Sequence, residues 1–482
     1  MRARRLLQPQ PARHDLPGAG AVLLLAAAAA LPGPRDVLLA LATAAAVVWI
    51  GADAVRTDRH GPRARLVMAI ALLLLAALPA LLLAADDGLW NGPRPSLDGG
   101  LALWAVGILS VAVGSRLAGT IPLRAVVTEA RAAAVLAAQP RGYRARLVVT
   151  AIVLVSLAAF MHRVGGPIAY LKNLNNSAAA TFGLTYFIWG ISFAKFGAFA
   201  YLGEAWARGA RPGRYPVAAA AVAIVLLLFL GSRLLLLVAL VQLLLLYAAL
   251  RPLGRRFKLT LLGTALAGAV AFLAIGEFRR WENVSPRPSF TSYLVDTGLP
   301  QLPRTYVNDY ADAVRLSVLA RRVVPSRAPY EDGKELLRVL LQPIPGTLRP
   351  TISTAPALTA TFTSGHKNGN ALPVPIEGYI EFGFAGAVLF SLLLGLAAGL
   401  VDRLGAGVRS VGTLCAAIAA GTGCVIVMRG SLHQGIALAA IDVVGFAVAH
   451  RILFARPAAA GPGAGAGADQ PAAAAKQPLA VQ

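Results

Sequence analysis

Twelve apolar segments recur along the chain, near residues 18–32, 37–55, 66–85, 101–118, 147–161, 182–203, 217–231, 234–250, 259–276, 378–401, 411–428 and 435–452. Several approach the roughly 20 apolar residues that a helix needs to cross a bilayer. Nothing constrains the fold more: the pattern predicts an all-α, polytopic integral membrane protein of about twelve transmembrane helices. Composition agrees, with 57% of 482 residues hydrophobic and a mean hydropathy of +0.66. The net charge of +23 comes mostly from arginine. In a membrane protein that excess sits in cytoplasmic loops, so it does not imply a nucleic-acid partner.

Loop charge sets the expected sidedness. With the N-terminus inside, the internal connections include RTDRHGPRAR, RGYRAR, EAWARGARPGRY, RPLGRRFK and DRLGAGVR, with two to five Lys or Arg each. The external short connections, GPRD, DDGLWNGPRPSLDGG, HRVGGPIAYLKNLNN, GSR and RGSLH, carry one or two. This asymmetry predicts both termini in the cytoplasm. The basic MRARRLLQPQ before the first apolar run resembles a signal peptide, but many spans follow and no small-residue cleavage site is clear. It reads as a retained first span. Cys415 and Cys424 are nine residues apart in one apolar run, on opposite helix faces, and form neither a disulfide framework nor a metal site.

The run Val217–Leu250 poses a sharper problem, because its polar side chains are only Ser232, Arg233, Gln242 and Tyr247. As one helix its 34 residues would extend about 51 Å, well beyond a ~30 Å hydrocarbon core. An arginine at the bilayer centre costs at least ~2.5–3.5 kcal/mol. Both flanks, RPGRY and RPLGRR, are basic. A hairpin turning at Gly231-Ser232-Arg233 satisfies length and charge together, and places Arg233 at the external interface.

Five regions follow: a basic cytoplasmic N-terminus (1–17), nine spans (18–276), a large extracytoplasmic loop (277–376), three spans (377–452) and a disordered cytoplasmic tail (453–482). The loop holds twelve Lys/Arg and eight Asp/Glu, many prolines and no spanning run. A loop of such length is usually functional. Within it, NDYADAVRLSVLARRV and EDGKELLRVLLQ read as amphipathic helices suited to a membrane surface. The tail, AAAGPGAGAGADQPAAAAKQPLAVQ, is low-complexity.

External arginines run against the charge bias, so each invites a reason. Arg233, Arg429 and Arg163 sit at outer ends of spans, and Arg279, Arg280 and Arg349 near the ends of the loop. Guanidinium forks bind phosphate, more strongly away from water, although each could equally snorkel to lipid headgroups. VGSRLAG repeats the tripeptide at 114–116 on the expected cytoplasmic side, so placement carries the argument and Gly-Ser-Arg does not. Glu377 and Glu381 open the tenth span at i,i+4 on one helix face. One is a candidate general base, and the bland alternative is that both cap a helix N-terminus. His433 and His366 are further candidate bases, although a lone loop histidine is more often just solvated. Lys195 and Asp442 lie inside spans six and twelve, where they either pair or face a wet cavity; their depths in the sequence do not match. Walker-type loops, HExxH, CxxC and a nucleophile elbow are all missing from the sequence.

Over about residues 220–400 the layout resembles the Wzy-type O-antigen, or oligosaccharide repeat unit, polymerases. The resemblance rests on the outer arginine of FLGSRLLLL, the large late loop, the Pro-rich LLQPIPGTLRPTIS and the returning EGYIEFGFAGAVLFSLLLGL. The last is similar to the family's Glu-x-Tyr-x-x-Phe-Gly-x-x-Gly pattern, here Glu377, Tyr379, Phe382, Gly383 and Gly386. The resemblance implies a metal-independent glycosyltransferase without a cofactor, acting on undecaprenyl-diphosphate-linked oligosaccharides at the outer face of a bacterial cytoplasmic membrane. It carries the family's external arginine to Arg233 and its glutamate to Glu377. Arg429, Arg279, Arg280 and Arg349 as diphosphate ligands, and His433 or His366 as base, follow from position alone. Flippase and chain-length-regulator proteins are the implied partners beside the lipid bilayer. An O-antigen-ligase-like transferase, a secondary transporter or flippase of lipid-linked sugars, and a non-catalytic scaffold remain alternatives.

Overall fold

Every regular element among the described residues is helical, and Pro140 and Phe454 form an isolated β-bridge. The computed structural model describes residues 16–30, 35–57, 63–86, 89, 97–121, 138–172, 184–230, 233–251, 277, 280–281, 284–286, 288–307, 313–341, 344, 350, 352, 372–405, 408, 410–430 and 432–455. The helices are α1 (Leu16–Ala30), α2 (Arg35–Thr57), α3 (Ala64–Ala85, with a π turn at Leu73–Ala77) and α4 (Asp98–Thr120). Next come α5 (Tyr143–Arg163), α6 (Pro167–Lys172), α7 (Thr185–Ala207), α8 (Arg214–Phe229) and α9 (Arg233–Leu250). The long loop holds α10 (Phe290–Tyr293), α11 (Leu302–Thr305), α12 (Ala313–Val323) and α13 (Lys334–Leu341). The chain continues through α14 (Val374–Gly405), α15 (Val411–Arg429) and α16 (Leu432–Leu453).

Seven of these helices, α2 to α5 and α14 to α16, are long and apolar enough to cross a membrane. Leu16–Ala30, Arg214–Leu227 and Leu235–Leu250 are shorter apolar helices. α7 has 23 residues and carries Lys195 and Glu204, and it is not among the seven. The candidate span 259–276 lies outside the described residues, as do residues 1–15 and the tail from 456.

The 34-residue apolar run breaks after Leu230 into α8 and α9, which pack on each other. Tyr170 of α6 donates its hydroxyl to the Leu230 carbonyl (2.9 Å), which pairs a backbone group that the broken helix leaves open. Helices α1 to α4, α12 and α14 share one apolar core, and α5, α7, α8, α9 and α16 share another. α15 lends Cys424, Val427 and Met428 to the first and Leu414, Cys415, Ile418 and Ala419 to the second. In lipid no hydrophobic force drives helices together, so close backbone approach matters more. The α4–α14 seam uses it: a methyl on Gly114 would strike the Leu392 carbonyl, and one on Gly395 the Val111 carbonyl.

The bundle has two bonded ends. At one, the loop end, Trp104 Nε1 of α4 donates to the Ala313 carbonyl of α12 (2.9 Å). At the other, Asp402 accepts the Ala64 and Arg65 amides (2.5 and 3.0 Å), and Arg65 also pairs with Asp53 (2.5 Å). There too Glu204 accepts the Ala138 amide (2.7 Å) and meets His450 (2.8 Å). α12 departs from its membrane-surface expectation. Val314, Leu316, Val318, Ala320 and Val323 are buried in the first core, because α4 covers the apolar face that lipid would otherwise take. α13 keeps Leu336, Leu337 and Leu340 exposed.

Candidate functional site

α14 is two helices in sequence. Phe382 (φ −140°, ψ 24°) and Gly383 (φ 66°, ψ −154°) leave helical geometry, and the left-handed φ of Gly383 suits glycine. The two arms, 374–381 and 384–405, fold back on one another. A Cβ on Gly378 would collide with the Gly386 carbonyl, and one on Gly386 with the Gly378 carbonyl. A Cβ on Gly107 would lie 2.6 Å from Pro375 and 3.3 Å from Ser391 Oγ. In a continuous helix those two residues would be about 24 Å apart. Gly107 is also nine residues into α4 from Asp98, a rise of about 14 Å. The first arm therefore begins well inside the bundle and climbs to the loop end, where Tyr330 packs against Gly383. All eight of its residues are buried, as irregular backbone at such depth requires. The sequence expectation of one span opened by Glu377 and Glu381 is corrected accordingly: both ride on a re-entrant arm.

Each pattern residue has a place in this reversal. Glu377 Oε2 accepts the Leu432 amide at the start of α16 (2.6 Å). Glu381 accepts the amides of Gly333 and Glu335 (2.5 and 3.0 Å), and so caps α13 from another part of the chain. The 331–332 turn also bonds the arm's end, through Glu331 N to the Ile380 carbonyl (3.0 Å) and Asp332 N to the Glu381 carbonyl (3.2 Å). Tyr379 donates to the Val324 carbonyl (2.9 Å) and accepts from Arg321 (2.5 Å), whose guanidinium lies over the Tyr379 and Phe384 rings (5.2 and 5.0 Å). Glu335 pairs with Arg338 (2.8 Å). Glu381 thus caps a helix, but it is α13 and not the helix that it opens.

Glu377 differs. Its partner is a backbone amide, and no salt bridge reaches it among the described residues. That amide belongs to the short connection after Arg429, which ends α15, is exposed and has no ion-pair partner among the described residues. Arg233 opens α9, which packs on α15. Gln242 of α9 bonds Thr422 of α15 (2.9 Å). A Cβ on Gly203 would meet both Leu246 and Val411, so α9 and α15 run antiparallel. Arg233, nine residues back from Gln242, and Arg429, seven on from Thr422, therefore reach the same end of the bundle as Glu377.

The other candidates fare differently. Arg280 is engaged inside the loop, with Glu277 Oε1 (3.0 Å) and the Thr305 hydroxyl. Glu277 also accepts from Tyr293 (3.3 Å), and burial, then the Glu277 carboxylate, pushes the Tyr293 phenol above its ordinary value. Arg279, Arg349 and His366 lie outside the described residues, as do the side chains of Arg233 and His433. Sequence reasoning missed Arg321, Glu335 and Arg338. The only signal for them was their place in the two amphipathic loop helices. It also missed the reversal, for which three glycines (Gly378, Gly383, Gly386) in one apparent helix start were the available sign.

No protein-family model, curated protein or solved structure matches the chain. Fold and site define its class as an all-α membrane protein with a re-entrant, carboxylate-bearing arm at one end.

Proposed function

We propose that this protein is a polysaccharide polymerase, a glycosyltransferase that joins undecaprenyl-diphosphate-linked oligosaccharide repeat units at the outer face of the bacterial cytoplasmic membrane. In this reading the chain has twelve spans and cytoplasmic termini, and the loop end faces outward. The observation that carries it is the convergence of Glu377, Arg429 and the start of α9 at Arg233 on the loop end. The local pattern Glu377, Tyr379, Phe382, Gly383 and Gly386 supports it, since these residues build the reversal that holds the carboxylate.

An acceptor hydroxyl oxygen attacks the anomeric carbon of the lipid-linked chain. The bond from that carbon to the diphosphate oxygen breaks, and undecaprenyl diphosphate departs with the electron pair. Glu377 takes the hydroxyl proton as general base, with His433 or His366 as the alternative. Arg233 and Arg429 meet the negative charge that grows on the leaving diphosphate, so the step needs no metal. Arg279, Arg280 and Arg349 would assist, Arg280 only after release from Glu277.

The test is a deletion strain complemented with Arg233→Ala or Arg429→Ala and profiled for surface polysaccharide. Loss of long polymer, with single repeat units remaining and protein levels unchanged, supports the reading. Unchanged polymer length sinks it, and complete loss of surface sugar would point to a flippase.

A further inference from the structure

Four polar side chains meet at the middle of four helices. Lys195 is the eleventh of 23 residues in α7 and Asp442 the eleventh of 22 in α16. Gln242 is the tenth of 18 in α9, and Thr422 the twelfth of 19 in α15. Lys195 Nζ lies 2.9 and 2.8 Å from the two Asp442 oxygens. Gln242 Nε2 donates to Asp442 Oδ2 (2.8 Å) and to Thr422 Oγ1 (2.9 Å). Lys195, Gln242 and Thr422 are at most 3% exposed and Asp442 9%. The ammonium also lies 4.8 Å from the Phe196 ring and 5.7 Å from that of Phe446.

A buried ion pair alone is a packing element as often as a site. Here a second feature points outward from the pair. Gln242 Oε1 has no hydrogen-bond partner among the described residues, although its residue is 1% exposed. The amide cannot be turned to cure this, because the turned oxygen would face the Asp442 carboxylate. Nε2 faces Asp442 and Thr422, so Oε1 points away from them; turning the amide as a cation enters would gather a carbonyl, a hydroxyl and a carboxylate, oxygen donors that suit a hard cation.

We propose that Asp442, Gln242 and Thr422 form an exchange site for a small monovalent cation of Na⁺ size, which displaces the Lys195 ammonium from Asp442. Charge balance dictates the stoichiometry. The cluster is neutral with Lys195 protonated, and a net charge at mid-membrane is expensive. One Na⁺ enters as one proton leaves the Lys195 ammonium, and neutral Lys195 no longer competes for the carboxylate. Among the described residues of the packed helices α5, α7, α8, α9, α15 and α16, the other ionisable group in the middle turns is the Cys424 thiol, two residues from Thr422. The site stands apart from the transferase reading.

Thermal unfolding of the full-length protein in nanodiscs, in NaCl against choline chloride at equal ionic strength, tests it from pH 6 to 9. The expected result is a saturable Na⁺-specific rise in Tm. Its half-saturating concentration should fall about tenfold per pH unit, as one-for-one exchange requires. Lys195→Gln should keep the Na⁺ effect, with the Asp442 proton now displaced in place of the ammonium's, and Asp442→Asn should lose the Na⁺ effect. No difference between Na⁺ and choline for the wild-type protein at any pH would overturn the proposal and leave a fixed structural pair.

Discussion

Glu377 and Asp442 are both buried carboxylates on membrane helices, yet they are held in opposite ways. Asp442 is held by side chains, the Lys195 ammonium and the Gln242 amide, so its charge is neutralised where it stands. Glu377 is held by the backbone amide of Leu432, which fixes its orientation and leaves its charge unmatched by any ion pair among the described residues. The helix that bears it contributes as well, since an acid in the first turn is favoured by the helix dipole. A carboxylate aimed by a backbone amide has no cation to shed before it can take a proton. One aimed by a lysine must first lose that lysine. Position follows the same division: Glu377 meets the start of α16 at the loop end, three residues on from the exposed Arg429, and Asp442 lies at the middle of the bundle.

This contrast can be broken experimentally. The largest expected effect is at the ion pair. Asp442→Leu alone leaves a buried ammonium and should destabilise by about 3–5 kcal/mol, whereas Asp442→Leu with Lys195→Met should recover most of the loss. Unfolding of both variants in one detergent decides the matter, and equal losses would mean that the pair is not coupled. Gly383→Ala should be milder, about 1–3 kcal/mol, because alanine must hold a left-handed φ beside Tyr330. Glu377→Gln should change stability by less than about 1 kcal/mol, since the side-chain amide oxygen can still accept from Leu432. The smallest effect is expected of Arg280→Gln. Its guanidinium is tied to Glu277 in the loop, so polymer length should stay within about twofold of wild type. A collapse of polymer length there would make Arg280 a principal ligand of the diphosphate in place of a helper.

Seven of the apolar segments were legible as helices long enough to cross a membrane, because continuous apolarity is a one-dimensional signal. So was the α8–α9 hairpin, since no single helix of 34 apolar residues fits a bilayer. Depth was less legible. Apolar edges place Lys195 fourteenth in the run 182–203 and Asp442 eighth in 435–452, an apparent mismatch. The helices begin at Thr185 and Leu432, so each residue is eleventh and the two meet. The Leu432-His433-Gln434 start, with its two polar residues, is invisible to an apolarity criterion. The reversal at Phe382-Gly383 was hidden for another reason. EGYIEFGFAG keeps helical spacing on both sides of the break, and what marks the break is the Gly378–Gly386 contact, which exists only in three dimensions. The glutamates were visible as a pair on one face, but not that one caps a loop helix while the other meets α16.

The central claim is that Glu377 does chemistry that its neighbour Glu381 does not. Its most direct measurement is the length distribution of surface polysaccharide in strains that carry Glu377→Gln, at matched membrane protein levels. The account predicts single repeat units in place of long chains, a loss of at least about 100-fold in chain extension for removal of a general base. Wild-type chain lengths from a Glu377→Gln protein present at wild-type levels would contradict it.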